Sequence, residues 1–288
     1  YVLGRIYQQQ GRLEDARRSL DVAVMQTKST APLYEPLVRT QLADVIMAAG
    51  DEQAAIQELS QVIEYAPKSF RGFFALAAVH MRGNRPGPAF TVLRRTLDID
   101  PRQDIERPSL TDFPLSPKEL TEYAKAFADA NVNETDEPLL RANEGVIRFH
   151  AGQRGKSRAL FLDALQNDRY NHPALLYLSV LDYEEGRFAG IEKRLTQAER
   201  TTAGKHTITQ LYLARAEMMG GEMESAEQRL RFIIDNEPTL LQARFTLGQL
   251  LLKRRSREEA LALWQGVIVD APDYLPVKRA LAELKAGS

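Results

Sequence analysis

Cysteine is missing from the chain, and that one absence removes disulfides, thiolate metal sites and thiol nucleophiles together while leaving the compartment open. Excess charge is missing too. Lys and Arg total 38 against 39 for Asp and Glu, so nothing electrostatic favours nucleic acid or an anionic membrane as the main partner. No window approaches the run of about 20 apolar residues that a membrane-spanning helix needs. The four histidines, His80, His150, His172 and His206, show no pairing at helical spacing and no carboxylate in a ligand pattern, so neither a metal nor a cofactor is expected. Gly152, Gly155, Lys156 and Ser157 have the look of a phosphate loop, but His150 stands where its first glycine is required and a helical pattern precedes it instead of a strand. They read as turn and packing residues. With no serine, histidine and acid set and no paired carboxylates in a cleft, the chain is not expected to be an enzyme.

What is present is a repeat. Residues 241–274 read as two helices and a stop: Phe245, Leu247, Leu250 and Leu251 recur at helical spacing, then Ala260, Leu263, Trp264, Val267 and Ile268, with 254–257 as the turn and Pro272 as the end. Gly248 and Ala260 lie where the two helices approach most closely, and Trp264 fills the adjacent space. Similar small pairs, twelve apart, are Gly4 and Ala16, Ala43 and Ala55, Ala77 and Ala89, Gly145 and Ser157, and Ala214 and Ala226, with Ser179 and Ile191 imperfect. Four residues after each second member comes a bulky apolar residue: Leu20, Leu59, Leu93, Phe161, Leu195, Leu230 and Trp264. The first members, 4, 43, 77, 145, 179, 214 and 248, are spaced by 39, 34, 68, 34, 35 and 34. That is a period of 34 with small insertions and one doubled step.

Paired helices at this period resemble the tetratricopeptide repeat family, and the residues just named carry the resemblance. The chain departs from the family where the first signature aromatic is replaced by Arg39, Gln210 and Arg244, leaving Phe73 alone, and where the signature tyrosine survives only as Tyr7. The resemblance implies an all-α, right-handed α-solenoid superhelix of helix-turn-helix repeats whose first helices line a concave groove for another protein or peptide.

The spacing divides the chain into 1–103, with three repeats of which the first is truncated; 104–137, a degenerate repeat; 138–274, with four repeats; and 275–288, a capping helix and tail. In the degenerate repeat, Pro108, Pro114 and Pro117 forbid a normal first helix, so 104–116 is expected to be extended. A helix follows from 117 to 131, capped by Ser116 with Glu119 and bearing Leu120, Tyr123, Ala124 and Phe127, and it reads as the second half of the unit. The loop before it fits either an element that enters the groove or a decayed repeat. Glu144 stands at an apolar position and implies a one-residue shift of its helix. Residues 31–35 read as an insertion, and the open first repeat implies further repeats or an anchor upstream of Tyr1.

Projection onto the family's geometry puts Arg71, Phe74, Met81 and Arg82 on the concave side. Leu176, Tyr177, Val180 and Tyr183 follow, then Leu211, Tyr212, Arg215, Met218 and Met219, then Phe245, Gln249 and Leu252. An apolar lining of this kind fits either a binding surface, with Tyr212 and Arg215 as its hot spots, or side chains that pack between adjacent first helices. The expected function is a non-enzymatic scaffold for a partner protein or peptide. By the resemblance, it would serve assembly of a bacterial envelope complex for pili, exopolysaccharide export or secretion, in the periplasm or envelope before the cytoplasm. The alternative is a repeat arm of a larger enzyme or transcription regulator.

Overall fold

The computed structural model describes residues 1–103 and 116–286. The described residues form sixteen α-helices and no strand. Helix pairs run α1 (Val2–Gln9) with α2 (Leu13–Thr30), α3 (Glu35–Ala48) with α4 (Glu52–Tyr65), and α5 (Phe70–Arg82) with α6 (Pro86–Arg94). After a lone α7 (Pro117–Ala128) come α8 (Glu137–His150) with α9 (Arg154–Asn167), α10 (His172–Glu184) with α11 (Ile191–Thr201), and α12 (Thr207–Gly220) with α13 (Met223–Asn236). The last pair is α14 (Leu241–Lys253) with α15 (Arg257–Asp270), followed by α16 (Leu275–Ala286). This is the all-α solenoid class, and the two helices of each pair pack on one another. By compactness, 1–99 and 116–167 form one unit, and 100–103 and 168–286 a second. The repeat that opens at 138 therefore falls with the N-terminal helices, not with the repeats that follow it.

Every member of the small pairs is buried, which sets the helix register throughout. The reason is visible at the glycines. A Cβ on Gly4 would lie 2.6 Å from Leu20 Cγ, one on Gly145 would lie 2.6 Å from Phe161 Cε1, and one on Gly248 would run into the Trp264 indole. So the bulky residue that follows each second small residue fills the space over the first. Trp264 also donates from Nε1 to the Phe245 carbonyl at 3.2 Å, and Ser157 Oγ donates to the Gly145 carbonyl at 2.8 Å. The turn position seven residues after each first small residue is left-handed in all seven repeats: glycine at 11, 50, 152, 186 and 221, Asn84 (φ 54°) and Arg255 (φ 66°).

Three expectations change in detail. Glu144 does not shift its helix, because its carboxylate is buried against Arg148 Nε at 2.6 Å and Gly145 keeps its place under Phe161. The insertion at 31–35 holds a 3-10 turn, Pro32–Tyr34, made necessary because α2 continues to Thr30. The capping box of Ser116 and Glu119 is formed, and Leu120, Tyr123, Ala124 and Phe127 are buried as the stripe requires. Yet α7 ends at Ala128 and packs on α5 and α8, both first helices of their repeats. The stretch 104–115, read as extended, lies outside the described residues.

Charged pairs between helices stand where the family's aromatic is missing. Arg39 of α3 reaches Glu58 of α4 at 2.5 Å, and Arg244 of α14 reaches Asp270 of α15 at 2.7 Å. Gln210 of α12 donates to Glu199 of α11 at 2.6 Å. A polar tie replaces ring packing and keeps the helices joined, at the cost of desolvating the groups that are buried.

Candidate functional site

In the second unit the first helices α10, α12 and α14 present adjoining faces, and the four residues Asp100–Gln103 belong to this unit as well. Asp100 is buried at 2% exposure. Its Oδ1 accepts from Tyr212 Oη at 3.0 Å, and its Oδ2 lies 3.9 Å from Arg215 Nη1. Arg215 lies over the Tyr212 ring, 4.7 Å from its centroid, and donates from Nε to Thr246 Oγ1 at 3.3 Å. Tyr183 meets Tyr212 edge-on at 6.1 Å, and Arg102 Nε lies 4.0 Å from Glu184 Oε1. Beside this cluster opens a cleft of about 320 Å³, lined by Arg102, Tyr183, Arg215, Phe245, Gln249, Pro276, Arg279, Ala280 and Glu283. Two half-buried aromatic rings sit beside three guanidinium groups. Such a cleft offers one acidic group and one apolar side chain of an extended segment a place to bind.

The structure thus brings together Tyr183, Arg215, Phe245 and Gln249 of the residues expected on a binding face. Others belong to the core. Phe74, Leu176, Tyr177, Val180, Leu211 and Tyr212 are essentially fully buried, and Arg71, Met81, Arg215 and Met218 nearly so. They do not form an exposed apolar lining. The cause is that a first helix is covered on more faces than one apolar stripe predicts: in every repeat after the first, the residue two before the small residue, such as Tyr177 or Tyr212, is buried as the stripe is. Met219, Arg82 and Gln249 are exposed, and Leu252 is half-buried against Trp264 and Val267. Arg102, Arg279 and Glu283 escaped the sequence reading because they lie on a connector and on the capping helix, outside the repeated positions.

In the first unit, Met81 and Arg82 line a cleft of about 520 Å³ with Asn84, Glu122, Lys125, Asp129 and Asn131. Deeper, Arg71 reaches Glu119 at 3.4 Å beside Asp44. Burial, reinforced by Glu119 and opposed by Arg82 and Arg71, pushes the Asp44 carboxyl up to about 7. Burial raises the Tyr123 phenol as well, with Asp44 and Glu119 adding to it. Phe74 packs on Phe70 at 5.5 Å and on the His150 ring at 5.2 Å. Burial, then the Arg154 charge, holds His150 down to about 3, so it is a neutral packing residue. Among the described residues no group of three or more His, Asp or Glu is placed to hold a metal ion, and no helix is long and apolar enough to cross a membrane.

A family model described as tetratricopeptide repeat matches residues 40–104. Comparison with curated protein sequences gives no match. Among solved structures, the chain is similar to a chain of the APC/C hetero-tetramer Cut9-Hcn1 at 10% identity and a TM-score of 0.51, covering 94% of this chain. It spans 47% of that one, about half its length. It is also similar to pilF of Pseudomonas aeruginosa (15% identity, TM-score 0.46, 86% of this chain and 97% of that one). A tetratricopeptide repeat protein from Parabacteroides merdae compares at 13% identity and a TM-score of 0.46, over 97% and 94% of the two chains. Likeness at these identities speaks to the fold alone.

Proposed function

We propose that the chain, whose residues 40–104 match the tetratricopeptide repeat, is a non-enzymatic scaffold which holds an extended segment of a partner protein in the cleft of its second unit. Repeats of this family generally serve as interaction modules. The observation that carries the reading is the cleft itself, where Tyr183 and Phe245 lie beside Arg102, Arg215 and Arg279. Next to it Asp100, from the chain's own connector, already occupies the Tyr212 and Arg215 side chains. The partner segment suited to the remaining space carries a carboxylate for Arg279 and an aromatic or branched apolar residue for the two rings. Gln249 and Arg279 are exposed, so both can be changed without loss of core.

A displayed library of random peptides, selected on the protein, tests this directly. Acidic and apolar residues should be enriched together, and Arg279→Glu or Gln249→Trp should weaken the selected peptides by about tenfold or more. Full affinity in both variants would remove the cleft from consideration. For the wider role, the family resemblance supports assembly of a bacterial envelope complex. Fractionation of the source cells tests it, and recovery only in the cytoplasm would end that part of the reading.

A further inference from the structure

Each guanidinium group of the second-unit cleft has a carboxylate of the same chain close by. Arg102 lies 4.0 Å from Glu184 at the end of α10, and Arg215 lies 3.9 Å from Asp100. Arg279 shares the cleft wall with Glu283, one turn on along α16. Cations and acids are therefore matched, and a cleft that looks basic from its lining is close to neutral as a whole. An acidic group that enters is drawn by the guanidinium groups and repelled by the acids, so its affinity depends on which acid acts most strongly there.

The three acids are not equivalent. Glu283 is exposed, where water and salt screen it, and Glu184 is half-buried. Asp100 is buried, and a buried charge acts on its neighbours with little screening. Its Oδ1 is engaged, accepting from Tyr212 Oη at 3.0 Å and from the Arg102 backbone amide at 2.9 Å. Its Oδ2 accepts no hydrogen bond among the described residues and faces Arg215 Nη1 from 3.9 Å, too far for one. Asp100 thus acts on Arg215 through charge, and Arg215 lines the cleft.

We propose that Asp100 determines the specificity of this cleft: by offsetting the charge of Arg215 from inside, it holds down the affinity for acidic groups and leaves Arg279 to read them. The inference rests on the binding role given to the cleft above and adds what sets its selectivity. Asp100 acts through Arg215 and does not touch the bound segment. Removing its charge makes a cleft that weakly favours acids into one that strongly favours them.

The test uses two probes alike in shape and different in charge, N-acetylphenylalanine and its amide, titrated by NMR into the wild-type protein and into Asp100→Asn. Asparagine keeps an acceptor for Tyr212 and Arg102 and removes the charge. Asp100→Ser removes it with less volume and serves if the first variant does not fold. The preference for the acid over the amide should rise by about tenfold in either variant, and the rise should persist at high salt because the lost charge is a buried one. Glu283→Gln should raise it by only about twofold, a gain that high salt erases. An unchanged preference in the Asp100 variants would overturn the proposal. So would an equal loss of both probes, since Asp100 would then only hold the fold. If neither probe binds any of the proteins, or if Arg279→Glu leaves acid binding unaltered, the binding role of the cleft itself falls and this inference falls with it.

Discussion

Tyr212 donates its hydroxyl to Asp100 across 3.0 Å, although the two residues stand 112 positions apart in the chain. Tyr212 is therefore bound inside the molecule, where the sequence pattern alone placed it on a surface open to partners. Removing only the hydroxyl, by Tyr212→Phe, leaves a buried carboxylate short of a donor and should cost about 1.5 to 3 kcal/mol of stability. Urea midpoints measure it. A variant as stable as wild type would mean that Asp100 is satisfied without Tyr212, and the hydroxyl could again be assigned to a partner.

The stacked pair Phe245 and Trp264, 5.7 Å between centroids, rests on the absence of a side chain at Gly248. Gly248→Ala forces the indole to move and should cost about 1 to 3 kcal/mol by overpacking. Trp264→Ala leaves the cavity instead and should cost about 3 to 5 kcal/mol. In a double variant the alanine at 248 meets no ring, so its own penalty should largely vanish. Additive penalties would show that the two positions do not share one space.

These elements mark how far the sequence could be read. Spacing revealed the small pairs, the bulky residue sixteen positions after each first small residue, and the capping box at Ser116, because each is a local or periodic constraint that leaves its trace in residue type. Periodicity reports that a helix has an apolar face, but not how many neighbours cover it, so Tyr177 and Tyr212 looked available while the fold buries both. The place of α7 against α5 and α8 was hidden for the same reason: its stripe is amphipathic whichever helices it meets. Asp100 gave no signal, being an ordinary acid ahead of a proline. Glu144 gave the wrong one, since a buried acid paired one turn away with Arg148 reads as an error of register.

Arg255 holds a left-handed turn, φ 66°, that five of the seven repeats give to glycine. A side chain with a Cβ is strained there by about 1 to 2 kcal/mol. Arg255 is exposed, so Arg255→Gly should raise stability by about 1 kcal/mol, net of the extra freedom glycine gives the unfolded chain. Asn84, at the same position of another repeat, is the control: Asn84→Gly should gain less, since asparagine tolerates this conformation. Equal gains at the two positions would argue that side-chain identity there is irrelevant.

Two partly buried groups of the first unit should flatten its pH dependence. His150 titrates near 6.5 in an unfolded chain and near 3 in the fold, so between those values the unfolded state binds the extra proton and stability falls as pH falls. Asp44 works in the opposite direction. Its carboxyl is ordinarily near 3.8 and is raised to about 7 in the fold, so the folded state holds the extra proton and stability falls as pH rises through that window. Between about pH 4 and 6.5 the two slopes, each at most about 1.4 kcal/mol per pH unit, oppose one another. Asp44→Asn removes the second slope, so relative to wild type it should become steadily less stable on acidification from pH 6.5 to 4. His150→Leu removes the first, and relative to wild type it should become steadily more stable over the same range. Denaturant midpoints of the three proteins at half-unit pH steps measure both differences, and parallel profiles would show that neither group changes its proton affinity on folding.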